Sequence, residues 1–236
     1  MTGVSQDIRD GISGLLWHAQ CKQLALEQVM SFRPPADVEQ MRMYHSLYLT
    51  SLQSLIELAT VMFGKGVEHA WRSALEGAGG HSGENNLCYV RELRNAVVHR
   101  GENVVAVGSV VLDQTCAVAP AEAFNRRGKI KGPYAAFAPY LRNVFAICED
   151  AVGPVILTAT AEAFAALEQT SIAEMTAEAI AGIESSVHAP DWAKAMAVEH
   201  MHEVPFEELR GFQPNKLRDL LRRGAPDGLA LPVLGG

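Results

Sequence analysis

Apolar side chains recur at helical spacing along most of the chain. The clearest stripe follows Asp37 and places apolar or aromatic residues at steps of three and four, namely Met41, Tyr44, Tyr48, Leu52, Leu55, Ala59 and Met62. This period indicates an amphipathic helix of about six turns, with Asp37 as its N-cap. Further helical segments are predicted before Pro34 and over residues 67–76, 82–99, 134–152, 154–167, 171–187, 192–202 and 215–223. The pattern therefore predicts an all-α helical bundle.

One region departs from the helical pattern. Two valine-rich runs, 104–107 and 110–112, flank a Gly-Ser pair and predict a small β-hairpin inserted at about residues 103–119. The end of the chain is rich in Gly and Pro, a composition typical of mobile termini. We therefore expect a helical bundle over residues 1–190, followed by a short helical extension and a flexible tail over 191–236.

The composition is that of a folded protein. Of 236 residues, 48% are hydrophobic and 20% are charged, which permits a sizeable core and excludes wholesale disorder. The formal net charge of −7 argues against a protein that coats nucleic acid by bulk charge, since such domains tend to be basic. A locally basic site is still allowed, and one dense cluster exists at Arg126, Arg127, Lys129 and Lys131.

The sequence also bears on location. The four cysteines are isolated and form no CxxC pair, so neither a zinc knuckle nor a disulfide framework is indicated. The first residues lack the basic-then-apolar order of a signal peptide. The most apolar long stretch, residues 151–167, contains Pro154 and Glu162 and is at the short limit for crossing a bilayer. We therefore expect a cytoplasmic protein that does not enter a membrane.

The residues with chemical potential lie between 91 and 101. On a helix, Arg91, Asn95 and His99 are spaced by four and share a face that points away from the predicted buried stripe. Arg94 lies five residues before His99, which places its Cβ about 140° around the helix from that of His99. Its long side chain must cross this angle to reach the imidazole.

An imidazole and a guanidinium at one helix end suit phosphodiester chemistry. RNA supplies its own nucleophile, the 2′-hydroxyl, and histidine can take or give a proton near neutral pH. A guanidinium can hold two phosphate oxygens and stabilise the charge that develops on them. The asparagine amide can orient the phosphate or the histidine. None of these steps needs a metal ion.

The segment Arg94-Asn95-x-x-x-His99, at a helix end and followed by Gly101, resembles the R-x4–6-H motif of the HEPN superfamily. The resemblance implies a bundle of four or five helices that dimerises so that two copies of the motif face one cleft. It implies a metal-independent endoribonuclease that leaves a 2′,3′-cyclic phosphate, with Arg94 and His99 catalytic and Asn95 assisting. Many such proteins are toxins or anti-phage effectors, so a cognate antitoxin is an expected partner. The resemblance implies no cofactor and no catalytic metal.

Four further arginines are candidates for binding RNA. Arg91 and Arg100 flank the motif, and Arg126 and Arg127 belong to the basic cluster, where local cations neutralise phosphates regardless of net charge. The plainer interpretation is a surface ion pair for Arg91 and a solvated loop for the basic cluster. For Arg91 and Arg94 the partners would be Glu76, Glu92 or Glu102.

Other functions compete with the nuclease. The protein could be a non-catalytic HEPN-type module that binds nucleotide or RNA or assembles with another protein, and His99 could merely cap its helix. His45 could line the cleft, although a core position is the plainer expectation. The acidic and histidine residues at 199–203 look like part of a metal site, but a di-iron bundle needs a second E-x-x-H pair and further carboxylates.

Overall fold

Helices form most of the protein. The computed structural model describes residues 6–125 and 131–232. Its helices are α1 (Gln6–Ser31), α2 (Val38–Phe63), α3 (Gly66–Ala74), α4 (Gly83–Arg100), α5 (Leu141–Gln169), α6 (Ile172–Ser185), α7 (Asp191–Glu199) and α8 (Phe206–Arg222). Short 3-10 helices cover Ala78–Gly80 and His200–Glu203. The predicted all-α fold with a small β insertion is confirmed.

Helix starts follow the capping signals of the sequence. Asp37 accepts hydrogen bonds from the backbone N–H groups of Glu39 and Gln40, as expected for the N-cap of α2. Ser171 and Glu174 form a complete capping box at the start of α6. These local contacts satisfy the first donors of each helix, and they set where the helical pattern begins.

The main apolar core runs through the bundle and includes the C-terminal helix. Helix α1 packs along α2, and α5 contacts α2, α3 and α8. The core extends from Ile12 in α1 to Leu217 and Leu221 in α8 and to Leu229 beyond it. The residues before and after the predicted boundary at 190 therefore share one core, because α8 buries its apolar face against α1 and α5.

Helix α5 runs through Pro154, where the sequence predicted a break. Residues 134–152 and 154–167 were expected to form two helices, but Leu141–Gln169 is one. A proline has no backbone N–H, so the carbonyl four residues earlier, that of Asp150, has no hydrogen-bond donor within the helix. Both Asp150 and Pro154 are exposed, so water can bind that carbonyl, and the buried residues on either side hold the helix together.

The β insertion consists of two hairpins and not the one that was predicted. Strands β1 (Gly108–Val111) and β2 (Gln114–Ala117) pair antiparallel, and so do β3 (Glu122–Asn125) and β4 (Lys131–Ala135). The first turn uses Leu112 and Asp113, both with positive φ, as a two-residue hairpin of type I′ requires.

A hairpin does form within the predicted range 103–119, but its first predicted strand, 104–107, is wrong, and the second, 110–112, overlaps β1. The Gly108-Ser109 pair lies inside β1 and not in a turn, and residues 104–107 form a bend with Val104 and Val105 buried in the main core. The second hairpin was not predicted. Arg126 and Arg127, expected to contact RNA, lie outside the described residues.

The segment after α8 is anchored on α5 as far as the structure describes it. The Arg142 guanidinium is almost fully buried and donates to the backbone carbonyls of Gly228 and Leu229, and Asn143 donates to the carbonyl of Leu231 at 2.8 Å. A buried guanidinium needs such acceptors, because leaving it unpaired would cost several kcal/mol. The flexible tail expected over this stretch is thus held in place up to residue 231.

A buried ion pair joins the first two helices to α5. The ammonium of Lys22 contacts the carboxylate of Glu149, and both side chains are about 5% exposed. The hydroxyl of Tyr48 donates to the same carboxylate at 2.8 Å. Burial raises the pKa of Tyr48 well above its ordinary value, so the phenol remains a donor at all ordinary pH values. Lys22 of α1 and Tyr48 of α2 thus both contact Glu149 of α5.

Helices α2 and α5 are long and apolar enough to cross a membrane by length and composition. In the most apolar windows of these helices, 44% and 56% of the residues are buried within the chain. Length and composition do not separate a membrane span from a core helix. The contacts on α2 and α5 come from α1, α3, α4 and α8 of the same chain.

His45 lies in the core of the bundle and not in a cleft. Its ring is 1% exposed and packs near Phe145, and Nδ1 donates to the carbonyl of Met41 at 2.7 Å. Nε2 is buried without a hydrogen-bond partner in the described residues. Burial lowers the pKa of His45 to about 4, the hydrogen bond to Met41 opposes this, and the charge of Arg142 adds to it.

This burial predicts a loss of stability in mild acid. Because the pKa of His45 is lower in the folded protein than in the unfolded chain, its contribution is complete above about pH 6.5 and is lost as the pH falls towards 4. Because of this residue, we expect the unfolding free energy to be about 2 kcal/mol lower at pH 5 than at pH 7. Urea titrations at both pH values measure it.

The matched variants are His45→Asn, which keeps a neutral donor for the Met41 carbonyl, and His188→Asn on the exposed surface. His45→Asn should reduce the difference in unfolding free energy between pH 7 and pH 5 by about 2 kcal/mol, and His188→Asn should leave that difference unchanged. An unaltered slope in His45→Asn would show that the imidazole is not the acid-sensitive group.

The buried ion pair predicts a second stability effect. Lys22→Met leaves the Glu149 carboxylate buried without its cation, which should lower the unfolding free energy by about 3–5 kcal/mol. The double variant Lys22→Met/Glu149→Gln removes both charges and should recover much of that loss in urea denaturation. A double variant no more stable than the single one would contradict this account.

Candidate active site

Helix α4 carries the motif and ends as the sequence predicts. Ser82 caps its start by accepting from the backbone N–H of Asn85 at 3.2 Å. Gly101 ends it in the left-handed conformation, with φ of 64°. Arg42 of α2 donates to the Gly101 carbonyl at 2.9 Å, which ties the end of the helix to the bundle.

The outer side of α4 is covered by the second hairpin. The side-chain amide of Asn85 pairs with the backbone of Ala135 in β4, because Nδ2 donates to the carbonyl and Oδ1 accepts from the N–H, each at 2.9 Å. The hydroxyl of Tyr89 donates to the carbonyl of Pro120 at 2.6 Å. Helix α4 is thereby held between the α2–α3 side of the bundle and the β3–β4 hairpin.

Arg94 and His99 meet as the motif requires. Nη1 of Arg94 lies 3.2 Å from Nε2 of His99, so the arginine side chain does cross the angle that separates the two positions. Arginine is a donor only, and Nε2 must therefore accept, which leaves the ring proton on Nδ1. The His99 side chain is exposed, so a ligand can reach this contact.

Asn95 links the pair to a buried carboxylate. Its Oδ1 accepts from Nη1 of Arg94 at 3.3 Å, and its Nδ2 donates to Oε1 of Glu92 at 3.2 Å. The sequence analysis treated Glu92 only as a possible surface partner, but it is 4% exposed. The helical period places Glu92, seven positions before His99, near the same face of the helix, but it does not predict that Glu92 is buried.

Arg100 closes the network on the other side of Glu92. It pairs with Glu92 at 3.6 Å and with Glu102 at 2.7 Å, and it also donates to the Glu92 backbone carbonyl. Its charge is therefore already balanced by two carboxylates. RNA binding by Arg100 would have to compete with them.

Arg91 also has a protein partner. Its guanidinium donates to Glu68 of α3 at 2.9 Å, and not to any of the three glutamates considered from the sequence. Both side chains are partly exposed, and such pairs contribute little to stability. The guanidinium can exchange Glu68 for a phosphate at small cost, so the assignment of Arg91 to RNA binding remains a prediction.

The acidic and histidine residues near the C-terminus do not converge as a set of metal ligands. Nδ1 of His200 lies 3.2 Å and Nε2 of His202 lies 4.0 Å from Oε1 of Glu203, and Nδ1 of His202 donates to the backbone carbonyl of Glu199. Within residues 6–125 and 131–232, no group of three or more His, Cys, Asp or Glu side chains is placed to hold a metal ion. These residues therefore contribute no ligand set to the site.

A cavity of about 280 Å³ adjoins the motif between α4 and β3. Its apolar wall is formed by Leu93, Ala96, Val104, Pro120, Ala123 and Phe124. Its polar groups are Glu92, Arg100, Glu102, Asn103 and Glu122. Sequence analysis missed this cavity, because it requires β3, which was not predicted.

The end of α4 gives a prediction about Gly101. Alanine there would meet no neighbouring atom but would have to adopt a positive φ, which costs about 1–2 kcal/mol. We expect Gly101→Ala to lower the unfolding free energy by about that amount in urea denaturation. Gly66→Ala in α3 is the control, since it also meets open space but without a positive φ, and it should change stability by less than about 0.5 kcal/mol. Equal effects would show that the left-handed conformation is not needed.

The comparisons with known proteins do not extend this description. The chain matches no protein-family model, none of the curated proteins and no solved structure. A functional assignment therefore depends on the geometry of α4 and its neighbours.

Proposed function

We propose that the protein is a metal-independent endoribonuclease of the HEPN type, acting as a homodimer in the cytoplasm and leaving a 2′,3′-cyclic phosphate. The observation that carries the proposal is the contact of 3.2 Å between Arg94 and His99 at the exposed end of α4. A positioned imidazole beside a guanidinium provides a proton-transfer group and a charge stabiliser, the two functions that cleavage through the 2′-hydroxyl needs.

The resting contact has a role in this mechanism. While Arg94 donates to Nε2 of His99, the lone pair of the imidazole is occupied. An incoming phosphate offers the guanidinium anionic acceptors, which form stronger, charge-assisted hydrogen bonds. Transfer of Arg94 to the phosphate then frees Nε2 to accept the proton of the 2′-hydroxyl.

The reaction needs one group that accepts a proton and one that donates it. As the 2′-oxygen bonds to phosphorus, the bond to the 5′-oxygen breaks, and that leaving oxygen takes up a proton. In a homodimer with two motifs facing one cleft, a neutral His99 of one subunit accepts the 2′-hydroxyl proton, and a protonated His99 of the other subunit donates a proton to the leaving 5′-oxygen. Asn95 holds Arg94 through its Oδ1 and is itself held by Glu92, so it acts as a positioning residue.

A second function has support from the charge around the motif. The chain carries a net charge of −7, and Arg91 and Arg100 are both paired with carboxylates. These features favour a HEPN-type module that binds nucleotide or RNA, or assembles with a protein, without cleaving anything. The antitoxin expected for a toxin would be one such partner.

The two functions are separated by RNA cleavage in EDTA. Purified protein incubated with total RNA should produce fragments with 2′,3′-cyclic phosphate ends. His99→Ala and Arg94→Ala should each lower the rate by about 10²-fold or more, since each removes a group acting in the transition state.

Two exposed residues away from α4 give matched controls. His188→Ala and Arg223→Ala remove the same side-chain types from the surface and should cleave at the wild-type rate. If all four variants and the wild type gave the same products at the same rate, the activity would come from a contaminant. Intact RNA with saturable binding would favour the non-catalytic module.

A further inference from the structure

We infer that the cavity between α4 and β3 is a nucleobase-binding site that selects guanine on the 5′ side of the cleaved phosphate. The inference rests on the proposed ribonuclease function for the position of the phosphate. It goes beyond that function by assigning sequence selectivity to a site that the motif does not include.

The size of the cavity limits what it can hold. Its volume of about 280 Å³ is just below the usual range for small-molecule sites, roughly 300–1,000 Å³. A single base fits such a space, whereas a helix or a strand of another protein does not. The apolar wall, with Phe124 beside Ala96 and Val104, suits a flat aromatic ligand.

The charge of the cavity excludes a phosphate as its occupant. Three carboxylates, those of Glu92, Glu102 and Glu122, line it together with one guanidinium, that of Arg100. Arg100 already pairs with two of the three. An anion would therefore be repelled here, while a neutral ligand rich in N–H donors would be favoured.

Guanine is the base that best matches these groups. Its N1–H and exocyclic amino group are adjacent donors that one carboxylate can accept together, and its O6 and N7 accept from arginine or from an amide. Arg100 and Asn103 supply such donors in the cavity. Uracil has a single ring N–H between two carbonyls, so its oxygens would face carboxylates and it should bind least well.

The geometry of β3 places an aromatic ring and a carboxylate together. Glu122 and Phe124 are two residues apart on the strand, and both line the cavity together with the buried Ala123 between them. The pairing register shifts beside Phe124, because Ala123 pairs with Tyr134 and Asn125 with Lys131, which leaves Phe124 opposite two residues of β4. Irregularities of this kind often turn a side chain towards a functional site. Single-stranded RNA is commonly read by stacking a base on an aromatic ring while its edge forms hydrogen bonds.

The cavity and the catalytic pair share one network. Glu92 lines the cavity and accepts from Asn95, which in turn accepts from Arg94, the partner of His99. Arg100, also in the cavity wall, is the next residue after His99. A base in the cavity therefore lies beside the groups that would act on its own 3′-phosphate, and the acidic lining keeps that phosphate outside, at Arg94.

The test uses the full chain with His99→Ala and the four nucleoside 3′-monophosphates. Isothermal titration should give the tightest binding for 3′-GMP and at least tenfold weaker binding for 3′-UMP. Adding Phe124→Ala should weaken 3′-GMP binding by about tenfold, in line with the loss of one stacking contact. Glu122→Gln should narrow the difference between 3′-GMP and 3′-UMP, because a carboxamide does not distinguish donors from acceptors.

Phe212→Ala is the matched control, since Phe212 is 56% exposed on α8 and should leave binding unchanged. Circular dichroism confirms that each variant is folded. Equal binding of all four nucleotides, or equal effects of Phe124→Ala and Phe212→Ala, would overturn the inference.

Cleavage of RNA oligomers that contain one guanine separates this inference from the proposed function. If the wild type cuts these oligomers without preference for the guanine, the proposed ribonuclease function is supported and the guanine site is refuted. If the protein cuts no RNA but binds 3′-GMP selectively and through Phe124, the guanine site is supported and the ribonuclease function is refuted.

Discussion

Glu149 carries a carboxylate into the core on α5, where Lys22 balances its charge and Tyr48 donates a hydrogen bond to it. An uncompensated charge at such a place would cost several kcal/mol, so the three helices can pack only in a register that brings these groups together. Hydrophobic contacts supply most of the stability, but they tolerate sliding and rotation far better than this contact does. The α1–α2–α5 unit is the platform on which α3 and α4 rest.

The proposed site combines a fixed part and an exposed part of α4. The face towards the bundle is buried, and the end of the helix is held by the left-handed Gly101 and by Arg42 from α2. The motif residues can therefore be exposed without loosening the helix. Around Glu92 the polar groups divide into two sets. His99 is exposed and Arg94 partly exposed at the place proposed for the phosphate, and the acidic cavity on the other side is the place proposed for an uncharged base.

Some parts of this arrangement are visible in the sequence because their causes are local. The end of α4 depends on one residue with positive φ, and the start of α2 depends on one capping carboxylate. The exposure of His99 follows from the position of the apolar stripe. The continuity of α5 through Pro154 was not predictable in the same way. It depends on the burial of α5 residues on both sides of the proline, which compensates for the missing backbone donor, and this burial is a property of the tertiary structure.

The sequence by itself determined the all-α class, most of the helix limits and the convergence of Arg94, Asn95 and His99, because helical period and capping act over a few residues. The tertiary structure alone decided the second hairpin, the cavity that it closes against α4 and the burial of Glu92. Strand pairing and cavity walls bring together residues that are far apart in the chain, and their energies depend on which surfaces meet and not on any local pattern.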